Sequence, residues 1–290
     1  MVDDMLNCKD YTQLIKRKLL DEITKLSSVP KLVVIQLGDN PSSNSYIKGK
    51  RKDCEDVGID FELYKLEETV TNEYLANLIE ELNNDSSVSG IIVQLPVPKH
   101  INVNMIQELI NDGKDVDGFN KNSMFDPCTP KGAIDYLKYH NYKFEGKNAT
   151  VVGRSEIVGK PLARMLLDLD CTVTVCHSKT DNDCMSIYMS GSDIVFTCID
   201  KIEFFGPEYF DPWHDVIDFG LGVGEDGKLH GNLNKDAIAA LKDYIKSNGE
   251  DQVLISGVGG TGLLTRIALV CNTVKAHQML LGVSVPEWLK

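Results

Sequence analysis

The 290 residues carry 30 lysines and arginines against 43 aspartates and glutamates, a formal net charge of −13, with 42% hydrophobic and 25% charged residues. Such a chain can bury a large core in one or two domains. Its acidic balance argues against a nucleic-acid partner but leaves room for a small anionic ligand on a local basic cluster. No window holds the roughly 18 uninterrupted apolar residues of a membrane helix. Met1 to Asp10 is polar and acidic, unlike a secretory signal. The eight cysteines (Cys8, Cys54, Cys128, Cys171, Cys176, Cys184, Cys198 and Cys271) form no CxxC pair, so no metal is expected. A reducing, cytoplasmic location is the plain inference.

Lys31 to Leu37 is a short apolar run ended by Gly38-Asp39-Asn40-Pro41, and it reads as a strand and turn. Ser42 or Ser43 is placed to cap a helix running to about Val57. Within it Ser43, Tyr46, Lys50 and Cys54 or Val57 recur at three- and four-residue steps and share one face. A tyrosine and a lysine there suggest a lysine pointing into a cleft. Burial disfavours a lysine's charged form, which suits it to proton transfer near neutral pH. From charge alone, the run Lys48-Gly49-Lys50-Arg51-Lys52 reads as a solvated helix face.

Phe61 to Leu66 is a second strand, Glu73 to Leu82 a helix, Gly90 to Pro96 a third strand, and Met105 to Ile110 lies in another helix. Repeated strand–helix units of this length imply a mostly parallel sheet covered on both faces. Gln94 stands at the carboxyl end of its strand, where open α/β sheets meet ligands. In the loop-rich stretch from Gly113 to Pro130, Asp117 precedes a glycine. It reads either as an Asx-turn residue or as a carboxylate accepting paired N–H bonds from a heterocycle.

A helix from Gly132 to His140 leads into a second lobe: strand 149–153, helix 160–169, strands 171–176, 193–198 and 215–219, helix 234–246 and strand 252–256. Gly257-Val258-Gly259-Gly260-Thr261-Gly262 then opens a helix from Leu263 to about Ala276 that returns to the first lobe. The fold class is α/β in two lobes, and a small-molecule site is expected in a cleft between them.

Val151 to Pro161 is the most informative stretch. A buried strand enters Gly153, a short loop follows, and a helix opens near Gly159-Lys160-Pro161. Glycine lets backbone approach a ligand, proline suits a first helical turn, and free N–H groups with the helix dipole attract a phosphate. The usual G-x-G-x-x-G spacing is absent, as is the Lys-Ser/Thr of a phosphate-binding NTPase loop. The next strand ends Val175-Cys176-His177-Ser178-Lys179-Thr180, without the acid that commonly holds an NAD ribose. Arg154, Ser178 and Lys179 could instead bind a 2′-phosphate, favouring NADP over NAD. His177 reads as a cofactor contact or a local hydrogen-bonding residue rather than a general base.

Taken together, Ser43-x-x-Tyr46-x-x-x-Lys50, Val93-Gln94-Leu95-Pro96, Lys114-Asp115-Val116-Asp117-Gly118, Pro127-Cys128-Thr129-Pro130-Lys131-Gly132, Val152-Gly153-Arg154-Ser155-x-Ile157-Val158-Gly159-x-Pro161 and Cys176-His177-Ser178-Lys179-Thr180 resemble, in order and spacing, the methylenetetrahydrofolate dehydrogenase/methenyltetrahydrofolate cyclohydrolase family. The resemblance spans nearly the whole chain. It implies a homodimer with a parallel-sheet catalytic lobe (1–122 with 265–290) and a Rossmann-like NAD(P)-binding lobe (123–264). It also implies two reactions: NADP-dependent oxidation of 5,10-methylenetetrahydrofolate, then hydrolysis of the methenyl cation to 10-formyltetrahydrofolate. Carried over residue by residue, Lys50 handles the proton, Gln94 tunes it, Tyr46 stacks on folate and Asp117 holds the pterin. Ser43, Val93, Leu95, Pro96, Gly259, Gly260 and Thr265 complete the substrate contacts. Gly153, Arg154, Ser155, Ile157, His177 and Ser178 hold the cofactor.

The chain departs from the family pattern chiefly in the nucleotide half. Val258 and Leu263 stand where the family has prolines, Asp200 where it has a glycine, Gly222 where it has an asparagine, and Gly231-Asn232-Leu233 where it has Gly-Asp-Val. Two alternatives follow: a cyclohydrolase with weak or lost dehydrogenase activity, and a non-catalytic folate- or nucleotide-binding protein.

Overall fold

The computed structural model describes residues 7–248 and 252–289. The reading of the first ten residues as no secretory signal lies, for residues 1–6, outside the described residues. The chain divides into two compact units, Gln13–Cys128 with Arg266–Lys290, and Met1–Thr12 with Thr129–Thr265.

In the first unit α1 (Cys8–Ile23), which begins in the other unit, leads to β1 (Lys31–Leu37), α2 (Pro41–Val57), β2 (Asp60–Leu66), α3 (Asn72–Asn84), β3 (Gly90–Val93) and α4 (Val103–Leu109). The three strands are parallel in the order β2-β1-β3. Strand β1 is central, and its Leu32 to Leu37 are all buried, as expected of a parallel strand covered on both faces. Helix α3 buries Leu75, Leu78, Ile79 and Leu82, a single stripe at helical spacing. They pack with Val33, Ile35, Ile91 and Ile106, and each buried Leu or Ile contributes about 1.5–3 kcal/mol.

The second unit holds α5 (Cys128–Tyr139), β4 (Asn148–Val152), α6 (Gly159–Leu167), β5 (Thr172–Cys176), α7 (Asn182–Ser190), β6 (Ile194–Thr197), β7 (Asp215–Asp218), the β8–β9 hairpin (Gly222–Val223 and Leu229–His230), α8 (Lys235–Asn248) and β10 (Leu254–Ile255). Its main sheet is parallel in the order β10-β7-β6-β4-β5. The order reverses between β4 and β6, and the crevice at such a switch point is where open α/β sheets bind ligands. Helix α9 (Gly262–Leu280) follows, and from Arg266 it belongs to the first unit, so the C-terminal helix does return there.

Several local expectations are corrected. The cap of α2 is Asn40, whose side chain accepts from Ser43 N–H at 3.1 Å, because Pro41 already occupies the first helical position. Strand β3 ends at Val93, so Gln94 lies just past the strand. Helix α5 starts at Cys128, since Pro130 sits in its first turn rather than ending a loop. Helices α1 and α7 add to the elements expected from the sequence: α1 buries Tyr11, Ile15, Leu19 and Ile23, an apolar stripe at four-residue spacing, and α7 buries only Met185 and Met189. The basic run of α2 is not one solvated face: Lys50 is buried, Arg51 stacks over Phe61, and Lys52 pairs with Asp56.

Candidate functional site

Helix α2 presents Ser43, Tyr46 and Lys50 toward the carboxyl end of β3. Lys50 is only 4% exposed, and its Nζ donates to Gln94 Oε1 at 3.1 Å. Gln94 Nε2 donates to Leu95 O at 2.8 Å, which orients the amide so that its oxygen faces the lysine. Ser43 Oγ donates to the same carbonyl at 3.4 Å. The Tyr46 ring lies 5.3 Å from Lys50 Nζ, centroid to nitrogen, within cation–π range. A Cβ on Gly49 would run into the Arg266 guanidinium and displace it; that side chain's Nε stands 2.7 Å from the buried Asp53 carboxylate. Ser43, Tyr46 and Lys50, which share a helix face by spacing, thus meet Gln94 and Leu95 here; Val93 is buried beside them and Pro96 is exposed.

The Lys114–Gly118 segment is held by its own side chains. Lys114 Nζ donates to the carbonyls of Leu82, Asn83 and Asp85 at 2.9, 2.8 and 2.7 Å, closing the C-terminal end of α3. Burial pushes the Asp115 carboxyl up to about 6, opposed by the Asn120 N–H that it accepts at 2.7 Å. Gly118 has φ +74° and packs against the Asp126–Pro127 backbone. These ties leave Asp117 half-buried at the tip, its carbonyl accepting from Cys128 N–H at 3.3 Å. The Cys128 thiol is pushed well up by burial, then by the Asp117 charge, while Lys50 opposes.

In the second unit a cavity of about 800 Å³ opens at the switch point. Gly153, Arg154, Ser155, Ile157, His177 and Ser178, the residues expected to hold the cofactor, all line it. Gly153 has φ +138°, and a Cβ there would lie 2.9 Å from the Cys198 carbonyl carbon and closer still to its oxygen and sulfur. Ser155 Oγ accepts from Val158 and Gly159 N–H at 3.2 and 3.3 Å, fixing the loop at the start of α6. His177 Nδ1 accepts from Lys179 N–H at 3.2 Å, which leaves Nε2 to carry the proton of the neutral ring. Lys179 is exposed and is not among the lining residues, unlike Arg154 and Ser178.

The opposite wall was only partly foreseen. Ile199, Asp200, Lys201, Leu221, Gly222 and Asn232 line it, yet only Asp200, Gly222 and Asn232 stand out in the sequence. The usable signal was topological: the strand after the switch must end facing Gly153. Gly259 and Gly260 lie in the turn before α9, where Gly259 takes φ +77°, and Thr265 Oγ1 bonds Thr261 O at 2.9 Å. None of the three lines the cavity. Among the described residues, no group of three or more His, Cys, Asp or Glu could hold a metal ion, and no helix is long and apolar enough to cross a membrane.

Family comparison places the same two halves. The tetrahydrofolate dehydrogenase/cyclohydrolase catalytic-domain model matches residues 6–117, and the corresponding NAD(P)-binding-domain model matches residues 127–281. The bifunctional protein FolD of Ruminiclostridium cellulolyticum is 41% identical over 266 residues, covering 89% of this chain and 90% of its own. The crystal structure of the bifunctional FolD methylenetetrahydrofolate dehydrogenase/cyclohydrolase from Campylobacter jejuni superposes with a TM-score of 0.86 at 35% identity, covering 94% of this chain and 98% of that one. The Trypanosoma brucei dehydrogenase-cyclohydrolase, solved with NADP and an inhibitor, gives a TM-score of 0.84 at 25% identity over 94% and 97% of the two chains.

Proposed function

Because the chain belongs to the tetrahydrofolate dehydrogenase/cyclohydrolase family, we propose that it oxidises 5,10-methylenetetrahydrofolate to the 5,10-methenyl cation with NADP and hydrolyses that cation to 10-formyltetrahydrofolate. The observation that carries the reading is the buried Lys50 with Nζ on Gln94 Oε1 beside the Tyr46 ring. A water adding to the cation must lose a proton, and Lys50 is the group placed to handle it. Gln94 holds that nitrogen, Tyr46 offers a face to the folate, and Asp117 accepts from the pterin N–H groups. Ser43, Val93, Leu95, Pro96, Gly259, Gly260 and Thr265 supply further substrate contacts in this reading.

The residues of the cavity fit NADP. Gly153 leaves the cradle that a Cβ would fill, and Arg154 and Ser178 stand on the wall as partners for a 2′-phosphate. NADP supplies the hydride acceptor when bound, and hydride transfer asks the protein mainly for placement. One observation favours a second reading, hydrolysis with weak oxidation: Asp200 puts a carboxylate on the wall of a cavity meant for an anion.

The folate-binding domain in this proposal is 1–122 with 265–290 and the NADP-binding domain 123–264; the two compact units support this division except that they put residues 1–12 and 265 with the NADP-binding half and 123–128 with the folate half. A homodimer is proposed as well. In its support, β5 is a sheet edge with Val175 exposed on it, and Ile187 and Tyr188 are exposed on α7, the next helix in the chain. Eight free cysteines suit a reducing cytoplasm, and a charge of −13 suits neither nucleic acid nor an anionic membrane surface as partner.

Two assays test the function. The protein with methylenetetrahydrofolate and NADP or NAD should generate methenyl and reduced-nicotinamide absorbance, faster with NADP. Given methenyltetrahydrofolate alone, it should speed the decay above the uncatalysed rate. Decay without oxidation selects the second reading, and silence in both assays leaves a binding protein.

A further inference from the structure

Asn232 lines the cavity yet is 1% exposed, and its side chain is fully engaged inside the protein. Nδ2 donates to the carbonyls of Ile199 at 2.8 Å and Lys201 at 2.7 Å, while Oδ1 accepts from Ile199 N–H at 3.1 Å. One N–H and two carbonyl partners fix which end of the amide is which. The segment so held, Ile199-Asp200-Lys201, is cavity wall, and it begins one residue beyond Cys198, whose carbonyl faces Gly153. Asn232 is anchored in turn. Its N–H donates to Asp218 Oδ1 at 3.1 Å, and the buried Asp218 also accepts from Thr197 Oγ1, Gly220 N–H and Leu233 N–H.

A rigid path thus runs from a buried carboxylate on β7, through one amide, to backbone that a dinucleotide must pass. It matters electrostatically too. Carbonyl oxygens turned toward a diphosphate would repel it, and Asn232 commits the Ile199 and Lys201 carbonyls to its own N–H groups. We infer that Asn232 is a positioning residue for the dinucleotide: it sets the Ile199–Lys201 wall of the cavity and through it the affinity for NADP. The inference rests on the proposed function, in which NADP occupies this cavity.

Three measurements on the whole protein test it. Asn232→Ala should raise the KM for NADP about tenfold while kcat at saturating NADP stays within about twofold. Its Ile199 amide should exchange hydrogen faster, whereas the Cys198 amide, bonded to Val152 O at 2.8 Å, keeps its protection. Asn232→Leu keeps the volume and removes both the donor and the acceptor, so it frees the same two carbonyls and should raise the KM for NADP to a similar degree. An unchanged KM in Asn232→Ala or Asn232→Leu, a loss confined to kcat, or an unchanged exchange rate at Ile199 overturns the inference. If Asn232→Leu does not fold, Asn232→Ala decides alone. A wild-type protein that fails to bind NADP sinks the proposed function together with this inference, whereas wild-type binding that the variants keep sinks this inference only.

Discussion

Lys50 Nζ donates to Gln94 Oε1 at 3.1 Å, and Gln94 Nε2 donates onward to the Leu95 carbonyl at 2.8 Å. The pair therefore has a direction: the strand end fixes the amide, and the amide fixes the amine. Removing the amine and removing its support should differ in kind. Lys50→Ala should cut methenyl hydrolysis by about 10²–10⁴-fold, the usual worth of a positioned proton-transfer group, and leave NADP binding in place. Gln94→Ala should slow hydrolysis less and also lower stability by about 1–3 kcal/mol, since a buried nitrogen loses its acceptor. Hydrolysis rates and denaturant unfolding of the two variants check this; an unchanged decay rate in Lys50→Ala would remove the lysine from the chemistry.

Arg154 is exposed on the cavity wall, and among the described residues it has no carboxylate partner, so its guanidinium is available to a phosphate. Arg154→Ala should raise the KM for NADP by about 10- to 100-fold, the cost of losing a charge-assisted bond, and change that for NAD far less. Equal losses for both cofactors would show that Arg154 meets the shared diphosphate rather than the 2′-phosphate.

The sequence made some of this legible and not the rest, for physical reasons. Ser43, Tyr46 and Lys50 lie on one helix, so local spacing alone puts them on one face. Gly153 and Gly159 were legible because a strand–turn–helix needs glycine where two backbones meet, and a Cβ on Gly159 would indeed lie 2.6 Å from the Gly153 carbonyl carbon. Charge composition alone hid the burial of Lys50 inside a basic run, because it reports a run and not the face each residue takes, whereas the helical spacing pointed that lysine into a cleft. Lys114 gave no hint of closing α3, since its carbonyl partners lie about thirty residues away in the chain. The Asn232 clamp was equally hidden: its partners come from the end of another strand, and only the sheet order brings them together.

Gly153 meets two constraints at once, a φ of +138° and the Cys198 backbone 2.9 Å from where a Cβ would sit. Neither neighbour can retreat easily, because Cys198 N–H is bonded to Val152 O at 2.8 Å and Gly153 N–H to Cys176 O at 2.9 Å. Gly153→Ala should therefore cost about 1–3 kcal/mol from the disfavoured backbone alone and weaken NADP binding with it. The thermal midpoint and an NADP titration would show it. A variant as stable and as tightly binding as wild type would mean that the turn is looser than its geometry.

His230 ties the β8–β9 hairpin, which carries the cavity residues Leu221 and Gly222 at its start, to two carboxylates. Nε2 meets Asp226 Oδ1 at 2.9 Å and Nδ1 meets Glu203 Oε1 at 3.1 Å. The Asp226 bond, helped by the charges of Asp226 and Glu203, raises the imidazole above its ordinary 6.5. A raised value favours the protonated form when folded. The stabilisation is therefore complete below about pH 6.5 and is lost as pH climbs through the raised folded value. At the acid end Asp226 acts oppositely. Its carboxyl is lowered by the Lys228 N–H and then by His230, so its contribution is present above 3.8 and fades as pH falls through the lowered value. His230→Gln should thus lose thermal stability relative to wild type in mildly acidic buffer and converge with it in mildly alkaline buffer. The effect should be small, because the site is open to solvent and screened by salt. Melting curves of both proteins across that range decide it: a constant difference at every pH would mean that His230 holds the hairpin by shape and not by charge.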